Sequence, residues 1–380
     1  MRGVRWVAAA AVAVAAGCSG GPAEVVERRE SMSTVVTVRA IGPTERVARR
    51  AVEAAWAEMD ACAGRLNRHA AGSDVARVNR EAGGPGTAVG PLVVSCLAAA
   101  REVHAMTGGA FDPTVGPVLG LWREAERRDR VPTAAEIAEA LGRVGFGKVE
   151  VSLAPGVLVP GRGPAGGSSP PSRAPPPGGM VRLAEEGMVL DLGGIAKGYI
   201  AGRMIRRMQQ VGATAGLVDV GGDVCAMGER PGSLTRDGKP RPWGVAVQDP
   251  RYPPHPPDEA GRVYTAVHVR DGAVVTSGHY HRGYTVEGRR FSHIVDPRSG
   301  RPVDSQLASV TIVGPDASVA DGLATAVAVL GVERGLALVE STPGVECLLL
   351  ECPAAEGAAA PRVAAHRSSG FGSLEFSSAP

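Results

Sequence analysis

The sequence predicts an α+β fold, and three observations carry that reading. Strand-like segments come in neighbouring runs, with helical segments interspersed and no regular strand–helix–strand alternation. No internal repeat divides the chain. Its 380 residues are enough to bury an ample core, in one large domain or two smaller ones. A formal net charge of +2 is close to neutral and leaves no electrostatic footprint for nucleic acid. Aromatic residues make up only 4% while Gly and Pro number 52 and 30, the balance of a globular domain carrying low-complexity insertions.

The elements follow in order. Arg2 and Arg5 precede an apolar run at 6–16, too short to span a membrane, and Ala15-Ala16-Gly17 precede Cys18. Residues 1–17 therefore read as a secretory signal peptide, and Ala-Ala-Gly-Cys resembles a bacterial lipobox. Cys18 would then be the lipidated N-terminus, followed by a tether at 18–30. Ala15 stands where a lipobox usually has Leu, which keeps ordinary signal-peptidase cleavage as the alternative. No other run is expected to span a membrane, so the body is expected to be exported and tethered. Cys62 and Cys96 fall on apolar helix faces and read as buried free thiols.

The β-branched stretch 34–41 predicts the first strand, and Pro43 opens a long helix with Val47, Ala51, Trp56, Met59 and Leu66 on one face. A loop is expected at 68–74. Pro91 starts a second helix, which ends at Gly108-Gly109, and Thr133 with Glu136 makes a capping box for a short third one. Residues 160–179 are almost all Gly, Pro, Ser and Ala, and predict a disordered insertion. Apolar 188–192 reads as a buried strand ending at Gly193-Gly194, and 195–209 as a helix. Strands are expected at 214–220, 243–248, 263–269 and 273–276, the last two joined by Asp271-Gly272 as a hairpin. Another strand at 307–313, a helix at 317–330, a strand at 341–351 and a disordered tail at 353–380 complete the expectation.

The stretch LDLGGIAKGY at 190–199 has the strongest local chemistry. Two glycines at a strand-to-helix corner would present bare N–H groups at the positive end of a helix, a seat for phosphate. Lys197, one turn in, would add a point charge, and Asp191 would suit a metal or a hydroxyl. The spacing is neither that of GxGxxG nor that of a Walker loop. Its bland alternative is an ordinary turn with a surface lysine. GGAFDPTVGP at 108–117 would lay backbone along a ligand, or simply cap a helix. His293, flanked by Phe291, Ile294 and Val295, is a polar ring in apolar surroundings: a general base or a satisfied core histidine. His279 and His281 are expected on a polar loop without a specific role. Asp321 and Thr325 stand four apart on one helical face, a hard-oxygen pair suited to Mg2+, or else a surface charge and a back-bonded hydroxyl.

Six motifs together, GGAFDPTVGP, LDLGGIAKGY, the GGD at 221–223, TSG-Y-R, FSHIVDPRSGRPV and PDASVADGLAT, resemble the bacterial ApbE flavin transferases (FAD:protein FMN transferases) over 31–351. The resemblance implies an α+β domain at 31–352 of mixed, largely antiparallel sheets packed with helices, related to the T-fold. It implies binding of FAD and Mg2+, cleavage of the FAD pyrophosphate, attachment of FMN to a Thr of a client flavoprotein, and release of AMP. Carried over by motif, Met32, His69, Ala110, Phe111, Asp112, Asp191, Lys197, Ile294 and Val295 would contact FAD. Asp321, Thr325 and the carbonyl of Gly194 would hold the metal, and His293 would be the base. The family's Met-Gly-Thr is Met32-Ser33-Thr34 here, and Gly202 stands where an acidic residue is common. Two other outcomes use the same residues: hydrolysis of FAD with water as acceptor, and a non-catalytic FAD-binding lipoprotein that would need no His293.

Overall fold

Thr34–Gly42 alternates β-branched residues, with Val36 and Val38 fully buried on one face, and the main sheet assembles around it. The computed structural model describes residues 12–15, 22–153, 178–234, 240–252, 262–278, 283–303, 307–352 and 362–376. Among these residues the largest sheet has nine strands. In spatial order they are Val12–Ala15, Ala23–Ser31, Thr34–Gly42, Ala215–Val220, Asp223–Met227, Gly272–Gly278, Leu307–Gly314, Glu346–Glu351 and Ala364–Arg367. All of its ladders are antiparallel, so the fold is α+β as expected.

Helices α1 (Glu45–Leu66), α2 (Asp74–Arg80), α3 (Pro91–Met106), α4 (Gly116–Arg128), α5 (Ala134–Gly142), α6 (Ala196–Gln210) and α7 (Ala317–Glu340) complete the frame. The period of two along each strand divides the core. Cys225, Met227, Cys347 and Leu349 face the helices, where Met59, Met204 and Leu323 meet them. Their neighbours Val224, Ala226, Leu348 and Leu350 face a two-stranded sheet, Trp243–Gln248 with Val263–Val269. A third cluster joins α4 and α5 to the hairpin Gly283–Val286 with Arg289–Ser292, around Trp122.

Several expectations change. Residues 188–192 are not a ladder strand, although Met188, Leu190 and Leu192 are buried. The side-chain amide of Asn79 takes both backbone groups of Leu190, at 2.7 and 2.9 Å, and the Asp191 N–H goes to the Pro113 carbonyl at 2.7 Å. Those bonds satisfy a buried backbone in place of a partner strand, leaving one parallel bridge between Val189 and Val115. Asp271-Gly272 closes no hairpin. Val263–Val269 pairs with Trp243–Gln248, while Gly272–Gly278 runs between Asp223–Met227 and Leu307–Gly314. That strand carries Ala273, Val274 and Val275 buried on both faces, which suits the centre of a sheet.

The tether expected at 18–30 and the tail expected at 353–380 are both partly structured. Ala23–Ser31 pairs with Thr34–Gly42 along its whole length and buries Val25. Ala364–Arg367 adds the last strand, Phe371 is fully buried, and the Phe376 N–H reaches the Ala266 carbonyl at 2.8 Å. Each segment finds a sheet edge that its own composition does not announce. The expected insertion lies outside the described residues at 160–177, and Gly179 begins the strand Gly179–Leu183. α2 falls at the end of the expected loop and runs beyond it, capped by Ser73. α1 starts at Glu45 and is capped by Thr44, so Pro43 precedes the helix. The 24-residue α7 is long and apolar enough to cross a membrane, but it packs against the sheet as a core helix and bends at Gly331.

Candidate functional site

The site grows from the crossing of α6 and α7. A methyl placed on Gly198 would sit 2.1 Å from the Ala317 carbonyl and 2.7 Å from Asp321 Cβ, so only glycine allows this approach. The approach carries Asp321 to the start of α6, where its Oδ2 accepts from the Gly198 N–H at 2.9 Å. α6 has no capping side chain of its own, and a residue 123 positions away supplies one. One turn along α7, Thr325 lies against Gly194. A Cβ there would come within 3.0 Å of Thr325 Oγ1 and 3.3 Å of the Phe111 ring. Asp321, Thr325 and Gly194 thus converge, with Phe111 behind them.

The corner is not the bare cradle that its glycines suggest. The Gly193 N–H donates to Asp191 Oδ1 at 2.9 Å, and the Ile195 and Ala196 N–H groups donate to the Leu192 carbonyl. With Gly198 capped by Asp321, these amides are already satisfied, as buried backbone requires. Positive charge comes from side chains instead. Lys197 Nζ lies 2.6 Å from Asp223 Oδ2, whose residue is 1% exposed. Burial first, and the neighbouring Asp321 carboxylate second, push the Asp223 carboxyl well above the ordinary range, against the pull of Lys197.

The GGAFD loop is ordered by its own polar groups. Asp112 Oδ1 accepts from the Thr114 N–H and hydroxyl at 2.8 and 2.6 Å, and Oδ2 accepts from the Phe146 N–H at 3.0 Å. The carboxylate is committed to shaping the loop, and buried Ala110 and Phe111 are what that shape presents. Asp191 meets Arg68 Nε at 3.1 Å and Arg123 at 3.9 Å. His69, beside Arg68, is exposed, and its imidazole is held below its usual range by desolvation and then by the charges of Arg68 and Arg123.

Met32 sits in the two-residue turn between Ala23–Ser31 and Thr34–Gly42, where Met32 and Ser33 both carry positive φ, 51° and 60°. Gly221, in the neighbouring turn, packs on Thr34. That turn and Gly222 close a tight hairpin into Asp223, so the GGD motif is a strand-to-strand turn. His293 is half-buried just after Arg289–Ser292. Ile294 and Val295 behind it are buried, Ile294 in the main core and Val295 in the Trp122 cluster. His279, His281 and the Tyr-Arg of TSG-Y-R lie outside the described residues.

Among the described residues no group of three or more His, Cys, Asp or Glu forms a metal cage. The donor set here, a carboxylate, a hydroxyl and a carbonyl, suits instead a hard cation completed by a phosphate-bearing ligand. Sequence reasoning missed Asn79, Arg68 and Arg123, which act across the fold and leave no local pattern. It noticed Asp223 only as part of a turn.

A family model described as the ApbE family matches residues 32–349. An FAD:protein FMN transferase of Treponema pallidum is 34% identical over 279 residues, 73% of this chain and 70% of that protein. One from Klebsiella pneumoniae is 30% identical over 312 residues, 82% of this chain and 79% of its own. The solved structure of an ApbE protein from Thermotoga maritima superposes with a TM-score of 0.71 at 29% identity, covering 93% of this chain and 99% of that one. The antiparallel frame, the α6–α7 crossing and these matches agree: the chain belongs to the ApbE family and is a transferase.

Proposed function

We propose that this transferase moves FMN from FAD to a Thr hydroxyl of a client flavoprotein, with Mg2+ as cofactor and AMP as the leaving product. The observation that carries the reading is the convergence of Asp321, Thr325 and Gly194 beside the Lys197–Asp223 pair. The donor set fits the metal, and the buried Asp223 Oδ1 nearby has no hydrogen-bond partner. Bound Mg2+ would neutralise charge that develops on the pyrophosphate.

The chain's own residues supply the rest. A pyrophosphate diester is cleaved with little covalent help, so positioned cations dominate, and Lys197 is the side-chain cation at this spot. Asp223 holds it there. Ala110 and Phe111, fixed by the Asp112 bonds, offer an apolar wall, and His69 an imidazole, to the flavin. Met32, Asp191, Ile294 and Val295 complete the FAD contacts. A neutral Thr hydroxyl is a weak nucleophile, and His293 takes its proton as it attacks.

The test is incubation with FAD, Mg2+ and a Thr-bearing client, followed by intact mass of the client. A mass increase of one FMN is the expected result. AMP released without a client would mean hydrolysis, and bound FAD with no AMP would mean a binding protein.

We also propose export and lipid anchoring at Cys18 to a bacterial membrane, facing the extracytoplasmic space, on the strength of Arg2, Arg5, the apolar run and Ala-Ala-Gly-Cys. Cleavage there would remove the edge strand Val12–Ala15, leaving Ala23–Ser31 as the edge. Cys18→Ala should lose retention in the membrane fraction after a salt wash while keeping activity. Retention by that variant would refute the anchor.

A further inference from the structure

Asp223 opens the fifth strand of the sheet and is 1% exposed. Its Oδ2 takes the Lys197 ammonium at 2.6 Å, while its Oδ1 is buried and receives no hydrogen bond. The Asp321 carboxylate, 2% exposed, lies close enough for its charge to act on Asp223. Two buried carboxylates therefore lie near one another, and the ammonium of Lys197, a side chain 29% exposed, is bonded to Asp223. Buried charge is tolerated when it is paired, and Asp223 Oδ1 is left here without a hydrogen-bond donor. The α6–α7 crossing offers hard-oxygen donors: Asp321, Thr325 one turn along α7, and Gly194 pressed against Thr325. Together they favour a small divalent cation over a second ammonium.

Asp223 also decides where Lys197 goes. Lys197 lies in the first turn of α6 beside Gly198, the residue that Asp321 caps, so without Asp223 the carboxylates left to the ammonium are Asp321 and Asp219. At Asp321 it would compete with the cation. By holding Lys197 at 2.6 Å, Asp223 keeps Asp321 available and adds its own negative charge to the field there.

We propose that Asp223 is a determinant of divalent-cation affinity, and that the cation binds at Asp321 and Thr325 before FAD and without it. This rests on the metal assignment proposed above, and it is tested apart from flavin transfer. Mn2+ is the probe, added to the EDTA-stripped, FAD-free full chain and followed by the loss of its free-ion EPR signal. Wild type should take up one Mn2+. Asp223→Asn keeps the shape and removes the charge, and should weaken uptake by about tenfold or more, the loss typical of outer-shell changes around a metal. Lys197→Met removes the competing ammonium and should tighten uptake by a factor of several.

No uptake by the wild type without FAD overturns the proposal, as does Asp223→Asn binding like wild type. Should Asp223→Asn not fold, Lys197→Met decides, and unchanged or weaker binding there overturns it. Asp223-dependent Mn2+ uptake in a chain that never flavinylates a client upholds this proposal and refutes the transferase reading alone. The reverse pattern refutes this one alone.

Discussion

The seat where α6 crosses α7 and the lobe around Trp122 are built by different means. The seat is made by backbone approach: Gly198 against Ala317, and Gly194 against Thr325 and Phe111, with buried charges set into the contact. The lobe is made by ring contact. Trp122 lies 5.1 Å from Phe291 and 6.4 Å from Tyr284, and its Nε1 holds the Gly300 carbonyl at 2.9 Å. The seat gathers the groups suited to phosphate and metal, and the lobe carries His293 on the segment after its hairpin. Such a division implies that binding and rate separate by region.

The largest test of that separation is His293→Ala. A base acts only as the hydroxyl attacks, so the variant should take up FAD and Mg2+ normally while transferring FMN about 10²–10⁴-fold more slowly. Its residual rate should rise with pH as hydroxide replaces the imidazole. Transfer at the wild-type rate would move the base elsewhere. In the seat, Asp321→Ala should act on binding, costing about 1.5–3 kcal/mol of Mg2+ affinity by titration. Activity should be partly restored at high Mg2+, and an unchanged Mg2+ dependence would break the assignment.

A pair of identical substitutions sharpens the contrast structurally. Gly198→Ala should cost about 1–3 kcal/mol in chemical denaturation, because the crossing has no room for a methyl. Gly120→Ala, in α4 of the lobe with nothing within 4 Å of the added carbon, should gain about 0.5–1 kcal/mol. Equal signs would show that the two regions do not differ in packing as described. An effect of similar size is expected at the turn beside the seat. Ser33 carries φ 60°, where the family has Gly, and Ser33→Gly should stabilise the protein by about 1 kcal/mol with FAD binding kept.

What was legible in the sequence was what local chemistry determines. The Thr133–Glu136 capping box forms as expected, and the spacing of 195–209 becomes α6 within a residue at each end. Asp321 and Thr325 do share a face, and Gly194 and Gly198 lie where that face meets α6. What was hidden depends on partners far along the chain. Leu190 looks like strand until Asn79, 111 positions away, takes its backbone. Asp271-Gly272 has hairpin chemistry, yet two better partners claim the following strand. α4 has helical spacing in Val118, Trp122 and Ala125, with Pro117 near its start, but Val115 offers no cap to announce it. The Lys197–Asp223 bond joins two motifs that are each readable alone, and neither motif by itself announces it.

The contact at Gly198 has a mechanical meaning. Two helices held apart by side chains rest on a spring, whose length drifts with each substitution on the facing surfaces. Here the α6 backbone meets the Ala317 carbonyl directly, which is a hard stop. The spacing between Lys197 on one helix and Asp321 on the other can therefore not shrink. It widens only if the pressure behind the helices is relieved, at buried positions such as Met204 and Leu323. Wear in this site would begin in the apolar core, well away from any group that touches a substrate.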